Sequence, residues 1–346
     1  MSVSSFRFSV AAISISLWLI SANAITTQAQ ARAYVTNSCN NSIAVIDTDT
    51  NTVVDTVAVG LRPLGVAITP DGARVYVTNQ ASSTVSVINT LTNTVVATIP
   101  VGALPFELAV SPDGERVYVP SQADGTLSVI DTETNTVVDT IFVGPSPLGV
   151  AVTPDGARIY VTSNVTNTIT VLDTATNAVV DTIFVILNPL GVVFTPDGLR
   201  AYVEESNELL NVIDTTTNTV AIHTLQANTF HDRLAITPDG TRLYVTSPIF
   251  TKVSIMDTST NAVVDAIPLA FNPVFPALTS DGTSLYTANV QNTISVIDTL
   301  TNTVTATIPV SNTPNPGCLI RIALTPVPKS KDDCKDGGYK KFRGLA

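Results

Sequence analysis

The chain has 346 residues, 13% of them charged and 45% hydrophobic, with a formal net charge of −11. Its wealth of Thr, Val and Asn excludes a helical bundle and a disordered chain and points to β-structure with polar turns. From Ile25 to Pro328 there are 25 acidic against 10 basic residues, a balance of −15 that disfavours nucleic acid partners and suits solubility outside the cell.

The N-terminus reads as a secretory signal. Arg7 supplies the positive start, Phe8 to Ile20 the apolar core, and Ala22-Asn23-Ala24 a small-x-small cleavage site. The apolar run of about 13 residues is short of the ~20 a spanning helix needs. Residues 1–24 are therefore expected to be removed, leaving a short linker over 25–31. No later stretch is long and apolar enough to cross a bilayer. Trp18, the sole tryptophan, lies inside the leader. The exported protein is thus expected to show no indole fluorescence, and a tryptophan band from purified secreted chain would contradict cleavage.

A repeat begins next. Tyrosines fall at Tyr34, Tyr76, Tyr118, Tyr160, Tyr202, Tyr244 and Tyr286, a constant step of 42 residues. A fixed period in the forties with several short strands per unit signals a propeller. One unit runs from "LGVAITP" (Leu64 to Pro70) through the turn Thr69-Pro70-Asp71-Gly72 to "ARVYVTN" (Ala73 to Asn79). It continues with "STVSVIN" (Ser83 to Asn89), the turn "TLTN" and "TVVATIPV" (Thr94 to Val101). Proline presets φ in the first turn and glycine takes the positive φ that closes it. Hairpin links of this kind make each unit an antiparallel meander. Strands such as Val85-Ser86-Val87-Ile88 lack a clean polar face, as expected for sheets covered on both sides.

The strand count implies closure. The chain enters at a second-type strand, "RAYVTN" (Arg32 to Asn37), and leaves at a first-type strand, "CLIRIALTP" (Cys318 to Pro326). Pairing of these two strands seals a seven-bladed ring over 32–327 and removes two sheet edges. The Pro70-Asp71 hairpin puts Arg62 about opposite Ala81, and Cys318 and Cys39 hold the matching places in the closing pair. A Cys39–Cys318 disulfide is expected, on an exported chain where such bonds persist. Cys334, in the basic tail over 328–346, is left over.

The motifs "YVTN" (Tyr34 to Asn37, Tyr76 to Asn79), "YVTS" (Tyr160, Tyr244), "SVIDT" and "TPDG" resemble the YVTN-family β-propeller repeat over about residues 32–327. The resemblance implies an all-β, seven-bladed propeller of four-stranded blades, exported to the periplasm, cell surface or medium. It implies binding or scaffolding more than chemistry. The tail "CKDGGYKKF" (Cys334 to Phe342) resembles a Cys-Lys-x-Gly-Gly-aromatic segment ending some bacterial secreted proteins, without their second cysteine.

Enzyme constellations are sparse. The chain has two histidines, His223 and His231, and no HExxH, CxxC, phosphate loop or GxSxG. Propeller quinone dehydrogenases stack their cofactor on tryptophan, and the exported chain would have none. Propeller lactonases place His, Glu and Arg at the channel mouth, often with a divalent metal, an analogy at the level of fold.

Departures from the repeat mark the candidate patch. The fifth unit reads "EESNELL" where other units carry a small polar loop, introducing Glu204, Glu205 and Glu208. The connection that follows carries His231-Asp232-Arg233 in place of Pro-Leu-Gly, and Phe250, Phe271 and Phe275 follow. All are expected on one face of the ring, where they could bind a cation or a polar ligand with apolar contact from the rings. Repeat drift, with solvated glutamates and buried phenylalanines, explains the same residues without a ligand. Glu107 stands where Gly65, Gly149 and Gly191 stand in other units and is expected at the channel mouth, as a second candidate or as a lone exposed carboxylate; His223 sits on an outer strand and reads as structural.

These readings favour a non-enzymatic binding or scaffold propeller, monomeric, engaging a protein or glycan partner of the cell envelope without a cofactor. The alternatives are a lactonase-like hydrolase or lyase using His231, Glu205 and Asp232, with a divalent cation, and a structural surface-layer component.

Overall fold

The computed structural model describes residues 31–206, 209–224, 233–310, 318 and 320–326. The expected leader and tail lie outside these residues, as do Glu208, His231, Asp232 and Cys334.

The strands form seven separate four-stranded antiparallel sheets. In the sheet that closes the ring, Ile322–Leu324 lies innermost, followed by Arg32–Asn37, Ser42–Asp47 and Thr52–Ala58. The closing register pairs Ala33 with Leu324, Tyr34 with Ala323 and Val35 with Ile322. With that sheet as blade 1, blades 2 to 7 follow in chain order, starting at Pro63–Ile68 and ending at Thr303–Pro309. Cys39 and Cys318 form a disulfide with their Cα atoms 5.4 Å apart, beside the closing strands. No helix among the described residues is long and apolar enough to cross a membrane.

Burial follows position in the blade. The second strands, such as Arg74–Asn79, are buried almost throughout, whereas outer strands such as Thr94–Pro100 are largely exposed. Apolar contacts run from blade to blade: Tyr160 meets Phe194 of the next blade edge-on, with ring centroids 5.0 Å apart.

The period of 42 has a polar cause as well. Tyr160 donates to Asn218 Oδ1 at 2.6 Å and Tyr202 to Asn261 Oδ1 at 3.0 Å, in both cases to the last residue of the third turn in the next blade. Tyr34, Tyr76 and Tyr286 do the same to Asn93, Asn135 and Asn51. These asparagines hold positive φ, between 51° and 54°, a conformation their short side chains tolerate. One residue type thus closes a hairpin and latches two blades.

The first turns are built alike. In Thr69-Pro70-Asp71-Gly72 the Thr69 hydroxyl donates to Asp71 Oδ1 at 2.6 Å, the same oxygen accepts from Ala73 N at 2.9 Å, and Gly72 holds φ 71°.

Blade 3 departs from the expected regularity. Its first strand is only Ala109–Val110, with an isolated bridge between Pro105 and Ser121. First strands elsewhere bulge between Pro63 and Val66 or between Pro147 and Val150 and resume pairing. In blade 3 the equivalent stretch, Phe106 to Leu108, leaves the ladder. Phe106 N still bonds the Pro120 carbonyl at 3.2 Å, but proline offers no N–H in return.

Candidate functional site at the channel mouth

Seven equivalent positions surround the mouth of the channel. Eleven residues before each tyrosine stand Gly65, Glu107, Gly149, Gly191, Arg233 and Phe275; Arg321, five residues before Pro326 as Gly65 is before Pro70, completes the set. Every one of these except Gly149 lines a cavity of about 170 Å³. Ring closure therefore gathers residues from both ends of the chain into one site.

The glycines reflect how closely neighbouring blades approach here. A Cβ on Gly149 would lie 2.1 Å from the carbonyl oxygen of Leu190 in the next blade. Gly149→Ala is expected to destabilise the fold by about 2 kcal/mol, read as a lower urea midpoint at unchanged slope.

At three of the four positions without glycine, charge enters; the fourth holds Phe275. Arg233 Nη2 lies 2.8 Å from Glu107 Oε1, and Arg321 Nη1 lies 3.0 Å from the same oxygen. Arg233 Nη1 lies 2.8 Å from Glu204 Oε1. The Arg321 guanidinium packs 4.5 Å from the Phe106 ring centroid and 4.6 Å from that of Phe275, and Arg233 sits 5.0 Å from Phe275. Stacking on aromatic rings and charged hydrogen bonds together hold both guanidinium planes in fixed orientations.

Glu204 shows how the fold accommodates this. In blade 2, Thr78 Oγ1 accepts from Gly65 N and donates to the Phe106 carbonyl of the next blade, both at 2.8 Å. Thr162 serves Gly149 N and the Leu190 carbonyl in the same way. Glu204 occupies this place in blade 5 and accepts from Gly191 N at 3.1 Å. A carboxylate has no proton for the neighbour's carbonyl, and the neighbour supplies a guanidinium instead. Removing either partner would leave a buried charge uncompensated.

The sequence placed Glu204 and Glu205 in a loop; they are the last two residues of the strand Arg200–Glu205, both fully buried. Glu205 takes the place of the final Asn of "YVTN" and accepts from Ile186 N at 2.9 Å and Asn211 Nδ2 at 2.6 Å. Its Oε1 is committed to the framework. Of the expected patch, Glu107, Glu204, Arg233 and Phe275 come together. Phe250 and Phe271 are half-buried and do not line the cavity; Lys252 Nζ lies 5.6 Å from the Phe250 ring. His223 lies on the outer strand Thr219–Thr224. The distance from His231 to the glutamates falls outside the described residues.

Sequence reasoning missed Arg321 and Phe106. The signal for Arg321 was present: aligning "ALTP" of the closing strand with "AITP" of blade 2 puts it at the position of Gly65. Among the described residues no group of three or more His, Cys, Asp and Glu side chains could hold a metal ion.

Residues 114–219 match the model of the YNCE-like β-propeller family. No curated protein sequence matches the chain. Among solved structures, a chain of Kuenenia stuttgartiensis hydrazine synthase is similar, with 25% identity and a TM-score of 0.68 over 77% of this chain and 92% of that one. A functionally unknown protein from Desulfotomaculum acetoxidans is similar at 18% identity and a TM-score of 0.72, covering 84% of this chain and 98% of the other. The dihydro-heme d1 dehydrogenase NirN matches at 18% identity and a TM-score of 0.62, over 81% of this chain and 64% of its own. The last two likenesses carry the fold alone.

Proposed function

We propose, from the premise that this chain is a YVTN-like seven-bladed β-propeller, that it is an exported recognition module. It engages a protein or glycan partner of the cell envelope at the face that carries the channel mouth. The observation behind this reading is the preorganised mouth: guanidinium groups locked by Glu107, Glu204, Phe106 and Phe275 around an open cavity. Rigid donors on a rigid ring suit recognition, because little side-chain freedom is lost on binding. The Cys39–Cys318 bond supports an oxidising compartment and hence export.

Kuenenia hydrazine synthase carries an enzyme's name on a similar chain, yet the mouth here favours binding over catalysis. A general base needs a lone pair aimed at substrate. Glu107 Oε1 is shared by two guanidinium groups and Glu204 Oε1 by Arg233 and Gly191 N, so these two oxygens serve the framework of the mouth.

Immobilised full-length exported protein, offered envelope extract and envelope glycans, tests this. Retention of a partner by the wild type and its loss with Arg233→Gln, folding verified by circular dichroism, is the expected result. Partners indifferent to Arg233, or a lactone- or ester-hydrolysing activity abolished by a chelator, would replace the recognition reading.

A further inference from the structure

The charge balance at the mouth runs against the rest of the chain. The cavity is lined by two cations, Arg233 and Arg321, and one anion, Glu107. Glu204 is fully buried and is not part of the lining; it supports Arg233 at 2.8 Å. Arg233 and Arg321 against Glu107 and Glu204 cancel, so a neutral cluster sits in a body whose balance is −15. What faces the cavity is uneven all the same: both guanidinium groups line it, and of the two carboxylates only Glu107 does.

We infer that the mouth is a receptor for a single carboxylate group, a conclusion that rests on the recognition reading above and names its ligand chemistry. Glu107 provides the internal precedent: the same two guanidinium groups hold its carboxylate oxygen at 2.8 and 3.0 Å. Planar guanidinium forks match carboxylate geometry, and stacking on Phe106 and Phe275 has already fixed the Arg321 plane. Gly65 and Gly191 also line the cavity, without side chains of their own to fill it.

Size sets the next limit. A cavity of about 170 Å³ is close to the ~150 Å³ apolar cavity known to hold benzene. It accepts a carboxylate on a stem of a few carbons and is too small for a polymer strand. The group can come from a free small acid or from a glutamate or aspartate side chain presented by a partner. Glu107 shares the guanidinium pair with the ligand and so weakens its hold.

Calorimetry on the intact, disulfide-bonded protein at low salt tests the inference. The probes are glutarate, the size-matched dication of 1,5-diaminopentane, and a doubly capped pentapeptide with one central glutamate. Glutarate or the peptide is expected to bind saturably and the diamine not at all. Tighter binding of the peptide identifies a presented side chain, and tighter binding of glutarate a free acid. Arg321→Gln should weaken the carboxylate about ten-fold, and Glu107→Gln, which keeps the shape and removes the competing charge, should strengthen it about three-fold or more. If Arg321→Gln unfolds, the sign of the Glu107→Gln effect decides alone.

No saturable carboxylate binding to either wild type or Glu107→Gln would overturn the inference. So would diamine binding that Glu107→Gln abolishes. Partner retention that depends on Arg233 in the absence of any carboxylate binding would discard this inference while leaving the recognition reading intact.

Discussion

Opening the Cys39–Cys318 bond is expected to cost about 5 kcal/mol of unfolding free energy, because the bond closes a loop of 279 residues in the chain-entropy account. Strand pairing and an apolar cluster joining Ala33, Val35 and Ile322 to Tyr286 and Val296 of the last blade also hold the ring closed. The closing strand contributes three register pairs, Ala33–Leu324, Tyr34–Ala323 and Val35–Ile322. Backbone bonds from Thr36 N to the Arg321 carbonyl at 2.9 Å and from Thr325 N to the Arg32 carbonyl at 2.8 Å reinforce it. Each such bond contributes about 1 kcal/mol net. Urea unfolding with and without reductant, and of Cys318→Ser, should show a large fall in midpoint. An unchanged midpoint would mean that strand pairing alone seals the ring. Arg321 lies three residues beyond Cys318, so reduction should also weaken ligand retention at the mouth.

Alkali should unfold the protein between about pH 10 and 12. Burial raises the phenol pKa of all seven repeat tyrosines, pushing those of Tyr160 and Tyr286 up to about 12. The unfolded chain releases these protons near pH 10 and binds fewer of them than the folded chain above that point. Their contribution is therefore complete below about pH 10 and falls as pH rises towards 12, by on the order of 2 kcal/mol for each of these two residues. Ionising Tyr160 also removes the proton it donates to Asn218 at 2.6 Å, and so releases a latch between blades. Phenolate absorbance should lag the pH expected of free tyrosine and then rise together with loss of the β-sheet circular dichroism signal. Phenolate formation near pH 10 in a folded protein would show the tyrosines to be solvated.

Much of this architecture was readable because the repeat states its own rules. Seven in-phase tyrosines fixed the blade count, and the unmatched first and last strands implied closure. That closure in turn placed Cys39 against Cys318. The site was harder to read. "EESNELL" opens on a run of charged and polar residues and looks like a loop, yet Glu204 is held in a strand by Gly191 N and by Arg233, 29 residues further on. Whether a carboxylate is buried depends on a cation that only the neighbouring blade can bring. Glu107 and Arg321 are 214 residues apart in sequence and meet only across the closed ring. Local patterns carry no trace of such a pair; comparison of equivalent repeat positions does, once the closing strand is counted among them.

That meeting offers the most direct test. A double-mutant cycle of Glu107→Gln and Arg321→Gln, followed by urea unfolding, should give a coupling energy of about 1 to 3 kcal/mol, as expected for a contacting charged pair in a shared network. Additive effects within about 0.5 kcal/mol, the behaviour of distant sites, would mean that the two residues do not meet and that the mouth is not assembled by ring closure.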